Sequence, residues 1–110
     1  MSTEWSEWRL FPDPRKLGIL VAPFGPGCYE LRDGDQLVLY GSSRNVAHRV
    51  SSLLPKDWGC GGRNNNSKQE YVFQNLGRIE YRTLACADVD QARHVEKQLQ
   101  AKESNYLFPD

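Results

Sequence analysis

Gly27-Cys28-Tyr29-Glu30-Leu31-Arg32-Asp33-Gly34-Asp35-Gln36-Leu37-Val38-Leu39-Tyr40-Gly41 is the stretch that decides the fold of this chain. Asp33-Gly34 is a turn dipeptide, and β-formers occupy both flanks, so Cys28 to Arg32 and Gln36 to Tyr40 read as the arms of a β-hairpin. Gly41-Ser42-Ser43-Arg44-Asn45 then breaks the second strand and offers N-cap residues. Val46, Val50, Leu53 and Leu54 follow at helical spacing, and Pro55 ends that helix.

Further out, residues 57–69 are rich in Gly and Asn and read as a loop, long enough in a small domain to be functional or mobile. The loop lacks the spaced glycines followed by Lys-Ser/Thr of a nucleotide-type phosphate loop. Ile79 to Ala87 has the apolar and β-branched content of a strand. Asp88 begins a helix, with Gln91 three residues on in capping-box spacing and Val89, Ala92, Val95 and Leu99 as its apolar face. Toward the N-terminus, Trp5, Trp8, Phe11 and Phe24 occur together with Pro12, Pro14, Pro23 and Pro26. That proline density prevents a long helix. Residues 1–24 therefore read as an aromatic, proline-rich extension packed on a domain of residues 25–110, with Leu17 to Ala22 as a short strand. The order of hairpin, helix, loop, strand and helix places the chain in the α+β class, an α/β sandwich in which helices pack on a small, largely antiparallel sheet.

The chain has 110 residues, 39% of them hydrophobic, which suits one domain with one modest core. Fourteen Lys and Arg balance fourteen Asp and Glu, so neither a uniformly basic coat nor an acidic tail is present. The balance is uneven along the chain. Residues 42–82 hold seven Lys and Arg against three Asp and Glu, an excess of +4 that suits either a phosphate-facing patch or a solvated face. No apolar run approaches the roughly 18 residues a membrane span needs. The start, Met1-Ser2-Thr3-Glu4-Trp5, lacks the basic and apolar regions of a signal peptide, so a cytoplasmic location is expected. Cys28, Cys60 and Cys86 offer neither a disulfide framework nor zinc-ligand spacing, and read as reduced thiols.

Two charged side chains fall on or beside apolar helix faces. Glu96 lies seven residues after Val89, four after Ala92 and three before Leu99, inside the stripe of the second helix. A carboxylate there must be paired, protonated or bound to a cation. Arg49 flanks the stripe of the first helix, three after Val46 and four before Leu53, while His48 points nearly the opposite way. The two are either edge residues and an ordinary ion pair, or an anion-binding Arg and a cation-binding Glu converging over one face of the sheet. Tyr29 is either core packing with its hydroxyl at the rim or a third member of that group.

Gly27-Cys28-Tyr29, then Leu39-Tyr40-Gly41-Ser42-Ser43-Arg44-Asn45, then Arg49, together with Glu96 and Asn105, resemble the GIY-YIG nuclease domain over roughly residues 25–108. The resemblance implies a three-stranded sheet flanked by helices and hydrolysis of DNA phosphodiesters with one divalent cation, Mg²⁺ or Mn²⁺. It implies that Tyr29 deprotonates or positions the attacking water and that Arg49 holds the phosphate and its developing charge. Glu96 would bind the cation, and Asn105 would support the site. Ser43, Asn45, Arg63 and Lys68 are the expected substrate contacts. The pattern departs from the family at two places. Leu39 stands where the second motif has its tyrosine, and Tyr40 takes that role if one residue is deleted before Gly41. Leu53 stands where many members carry His or Tyr, so Tyr71, Tyr81, Arg63 and Lys68 become candidates to supply that polar group.

Three readings follow. The first is a divalent-metal-dependent DNA endonuclease. With no second DNA-binding domain, it would use the extension and the 57–69 loop for substrate contacts, and a homodimer or a protein partner for affinity. The second is a catalytically impaired module on the same fold that binds nucleic acid or a protein partner. The third is an interaction domain that uses Trp5, Trp8 and Trp58 as exposed anchors, against the alternative that these tryptophans are buried.

Overall fold

The hairpin forms around a glycine that only a left-handed turn would demand. In the computed structural model, which describes residues 5–13, 16, 19–53, 66–101 and 105–108, Gly34 has φ +61° between β2 (Gly27–Asp33) and β3 (Gln36–Ser43). A primed two-residue turn needs this conformation, and a Cβ would oppose it. The strands pair Tyr29 with Gly41, Glu30 with Tyr40 and Leu31 with Leu39, and the register shifts after Leu31. On its other side β2 pairs antiparallel with β4 (Ile79–Ala85), and β4 pairs with β1 (Arg9–Leu10). The sheet order is β1-β4-β2-β3.

The sheet thus has four strands, one more than the resemblance implies. The extra one comes from the extension, at Arg9–Leu10 and not at Leu17 to Ala22. Leu17 and Gly18 lie outside the described residues. Ile19–Ala22 is not a strand, because the backbone of Val21 is satisfied by a side chain. Its N–H donates to the Tyr81 hydroxyl at 3.0 Å, and the hydroxyl donates to its carbonyl at 3.0 Å. A ladder partner is then unnecessary. Phe11, next to β1, is buried edge-to-face on Tyr81 with ring centroids 5.7 Å apart.

Alternation along the strands divides the core. Tyr29, Leu31, Leu39, Ile79 and Tyr81 face one side, under Val46 and Val50 of α1 (Val46–Ser51) and Val72 of α2 (Asn66–Gln74). Cys28 and Leu84 face the other, under Ala92 of α3 (Val89–Gln100). Helix starts follow the sequence signals. The Asn45 side chain accepts from the His48 N–H at 3.1 Å, and Asp88 from the Gln91 N–H at 2.8 Å. The Gln91 side chain returns to the Ala87 N–H at 2.6 Å. The first helix stops at Ser51, before Leu54 and Pro55, which lie outside the described residues.

The loop reading of 57–69 needs correction at its end, since α2 begins at Asn66. The helix escapes an apolar-period reading because one of its two buried anchors is polar. Gln69 donates to the Ser52 carbonyl at 2.9 Å, beside fully buried Val72. No described helix is long and apolar enough to cross a membrane.

Candidate functional site

β3 is an edge strand, and its outer edge is covered over only part of its length. At the hairpin end, Leu107 and Phe108 donate backbone N–H groups to the carbonyls of Leu37 and Val38 at 2.9 and 2.8 Å. Two polar recesses lie along the other end, from Tyr40 to Arg44. The smaller, about 70 Å³, is bordered by Tyr29, Tyr40, Ser42, Arg49, Lys68 and Glu96. The larger, about 290 Å³, shares Ser42, Arg49 and Glu96 and adds Ser43, Arg44 and Arg93.

Each member arrives by a local cause. Tyr29 crosses to the edge over Gly41, where a Cβ would sit 2.6 Å from the tyrosine Cζ, so only glycine leaves this passage open. Arg49 takes its direction from the Asn45 cap and from buried Val46 and Val50, which fix the rotation of α1. Lys68 is set one residue before Gln69, the polar anchor of α2. Glu96 is aimed by buried Ala92 one turn earlier and by Ser42, whose hydroxyl donates to Glu96 Oε1 at 2.9 Å. The register puts Tyr29 on the α1 and α2 side of the sheet and Tyr40 and Ser42 on the α3 side. The recess therefore straddles the strand edge.

The other expected residues are distributed as follows. Tyr40 borders the small recess, but its ring packs on Tyr106, with centroids 4.6 Å apart. It faces away from Tyr29, so it reaches the edge from the other side of the sheet. Ser43 borders the larger recess while its hydroxyl donates to the Asn45 carbonyl at 3.1 Å, and the Asn45 side chain is engaged as the α1 cap. Asn105 borders neither recess. Its carbonyl accepts from Gln36 Nε2 at 3.2 Å, at the opposite end of β3. Arg63 and Trp58 lie outside the described residues. Of the groups considered for the polar position at Leu53, only Lys68 borders the same recess as Leu53 among the described residues. Tyr81 is committed to Val21, and Tyr71 donates to Asp33 Oδ2 at 2.9 Å. Burial, followed by that acceptor, raises the Tyr71 pKa.

Arg44 and Arg93, which border the larger recess, were passed over by periodicity alone. Arg93 carried a signal, because Val89, Arg93 and Glu96 are spaced i, i+4, i+7 and share one strip of α3. Behind the site, Cys28 is buried and its Sγ donates to the Ala92 carbonyl at 3.2 Å. Burial, with Cys86 and Glu96 nearby, pushes its pKa up to about 12, which removes it as a nucleophile at neutral pH.

A second charged cluster lies on the α3 side of the sheet. Glu30 is 2% exposed and pairs with Arg82 at 2.6 Å, and it also accepts from the Tyr106 hydroxyl. Trp5 and Trp8 lie over the Arg82 guanidinium, each centroid 4.7 Å away. Trp8 also stacks on Arg32 at 4.2 Å, and Arg32 pairs with Glu80 at 2.9 Å. Burial and the neighbouring carboxylate hold the Tyr106 phenol well above its ordinary pKa.

The chain matches no protein-family model, no curated protein and no solved structure.

Proposed function

We propose that the protein is a divalent-cation-dependent endonuclease with a GIY-YIG-like domain, which hydrolyses DNA phosphodiesters at the open end of β3. The observation that carries this reading is the meeting of Tyr29, Arg49 and Glu96, from β2, α1 and α3, around one recess of about 70 Å³. A phenol, a guanidinium and a carboxylate at one small polar hollow suit in-line attack on a phosphodiester. The Tyr29 hydroxyl orients the attacking water by accepting a hydrogen bond from it, or, as a phenolate, takes its proton. The water oxygen bonds to phosphorus as the bond to the departing sugar oxygen breaks. Arg49 donates to the phosphoryl oxygens as their charge grows, and Lys68 adds a positive charge at the position where Leu53 offers none.

The residues suit a hard cation held partly by substrate. Among the described residues no three His, Cys, Asp or Glu side chains gather as a ligand set. Mg²⁺ is commonly held by one or two carboxylates together with substrate phosphate and water. Glu96 fits that mode, because Ser42 occupies only its Oε1, and Oε2 has no partner among the described residues. The chemistry such a cation supplies when bound by Glu96 is neutralisation of charge on the leaving oxygen.

The alternative, a module on the same fold that binds nucleic acid or a protein without turnover, is favoured by Leu53, by the Tyr40 ring packed on Tyr106, and by Asn105 outside both recesses. Plasmid nicking separates the two. The nuclease reading expects nicks with Mg²⁺ or Mn²⁺, none in EDTA, and none from Glu96→Gln with an unchanged circular dichroism spectrum. Salt-dependent DNA binding without nicking supports the module. Nicking that survives in EDTA, or in Glu96→Gln, overturns the assignment of the site.

A further inference from the structure

The larger recess is bordered by three arginines, of which Arg44 and Arg93 are exposed, and among the described residues none of Arg44, Arg49 and Arg93 makes a side-chain hydrogen bond or an ion pair. Three other described arginines are paired, Arg32 with Glu80, Arg78 with Asp33, and Arg82 with Glu30, whereas exposed Arg9 has no ion pair among the described residues. Three like charges around one hollow repel each other, and the carboxylate that borders it, Glu96, turns one oxygen to Ser42. The hollow carries a surplus of positive charge with hydroxyls at its rim. This is the chemistry that receives a phosphate.

We propose that the larger recess holds the phosphate adjacent to the scissile one on the same strand, with Arg44 and Arg93 as substrate-positioning residues. The inference rests on the proposed function and deepens it. One phosphodiester brings a single negative charge, which Arg49 alone can match in the smaller recess. The two recesses share Ser42, Arg49 and Glu96, so a strand that enters one continues into the other. The substrate is therefore a polynucleotide spanning at least two phosphates, gripped from the β3–α1 connection by Arg44 and from α3 by Arg93. Arg93 and Glu96 lie on one strip of α3, so the group that grips the neighbouring phosphate and the group that would hold the cation are fixed by the same helix.

The test is the salt dependence of binding to a fluorescent single-stranded oligonucleotide in EDTA, measured by anisotropy. Each phosphate neutralised on a single strand contributes roughly 0.7 to the slope of log K against log salt, which amounts to roughly fivefold in affinity at 0.1 M salt. The Arg44→Ala/Arg93→Ala double variant is expected to flatten the slope by about 0.7 and to weaken binding about fivefold at 0.1 M. Arg44→Lys/Arg93→Lys keeps the charge and is expected to restore the slope, which a merely structural role would not do. A double alanine variant with the parent's slope and affinity overturns this inference while leaving the nuclease reading in place. A lysine pair that fails to restore the slope also overturns it. A parent protein with no salt-dependent binding overturns the proposed function, and this inference with it.

Discussion

Two groups of charges on the same sheet are treated oppositely. Around Glu30 every charge is answered: the carboxylate is buried, Arg82 and Tyr106 bind it, and two tryptophans cover the guanidinium. Around Glu96 three arginines border open recesses and make no side-chain hydrogen bond or ion pair among the described residues. The first arrangement meets the desolvation cost of burial with partners inside the fold. The second leaves charge for something outside it. Residue type does not distinguish the two clusters, since both are built from Glu and Arg. Their partners do.

The comparison breaks most readily at Glu30. Removing one partner of a buried pair leaves the other charge uncompensated, so Glu30→Ala is expected to cost about 3 kcal/mol in urea denaturation. If that cost is below about 0.5 kcal/mol, the cluster is not structural. Arg49→Ala should behave the other way round. Cleavage is expected to fall roughly 10²- to 10³-fold, as for removal of a charge-stabilising donor. Denaturation should move by less than about 0.5 kcal/mol, and a large loss of stability would place Arg49 with the structural group.

Gly41→Ala tests the junction between the two sides of the sheet. The added methyl group meets the Tyr29 ring, and overpacking of this kind costs about 1 to 3 kcal/mol. Nicking should fall together with the melting temperature, whereas Ser43→Ala should lose little of either. A further test concerns pH. Cys28 has its pKa raised to about 12 in the folded chain, against roughly 8.5 when unfolded. The folded state therefore favours the neutral thiol. That contribution is complete below pH 8.5 and is lost as pH rises toward 12, at no more than about 1.4 kcal/mol per pH unit. Melting temperatures measured from pH 7 to 11 should decline above pH 8.5, and less steeply in Cys28→Ala.

Legibility varied with the range of the interaction. The hairpin, the Asn45 and Asp88 caps, and the apolar face of α3 were all readable, because each depends on residues within a few positions of one another. Glu96 on an apolar stripe and Arg49 beside one stood out for the same reason. The helix from Asn66 was hidden because one of its buried anchors is an amide whose partner, Ser52, lies across a segment of Gly and Asn. β1 was hidden because two residues carry no period, and their strand character comes only from the exposed edge of β4. Arg44 and Arg93 were not singled out, because the recess they border is formed by segments far apart in sequence.

By itself the amino-acid order determined which segments turn, cap and alternate, because those choices are settled by φ preference, by hydrogen bonds three residues apart and by the period of burial. Only the tertiary structure decided that a β2 tyrosine, an α1 arginine and an α3 glutamate meet at the open end of β3. It also decided that Glu30, one position along from that tyrosine, belongs to a closed network on the other side of the sheet. In a strand, neighbouring side chains point to opposite faces, and what waits on each face is brought there by chain far away in sequence.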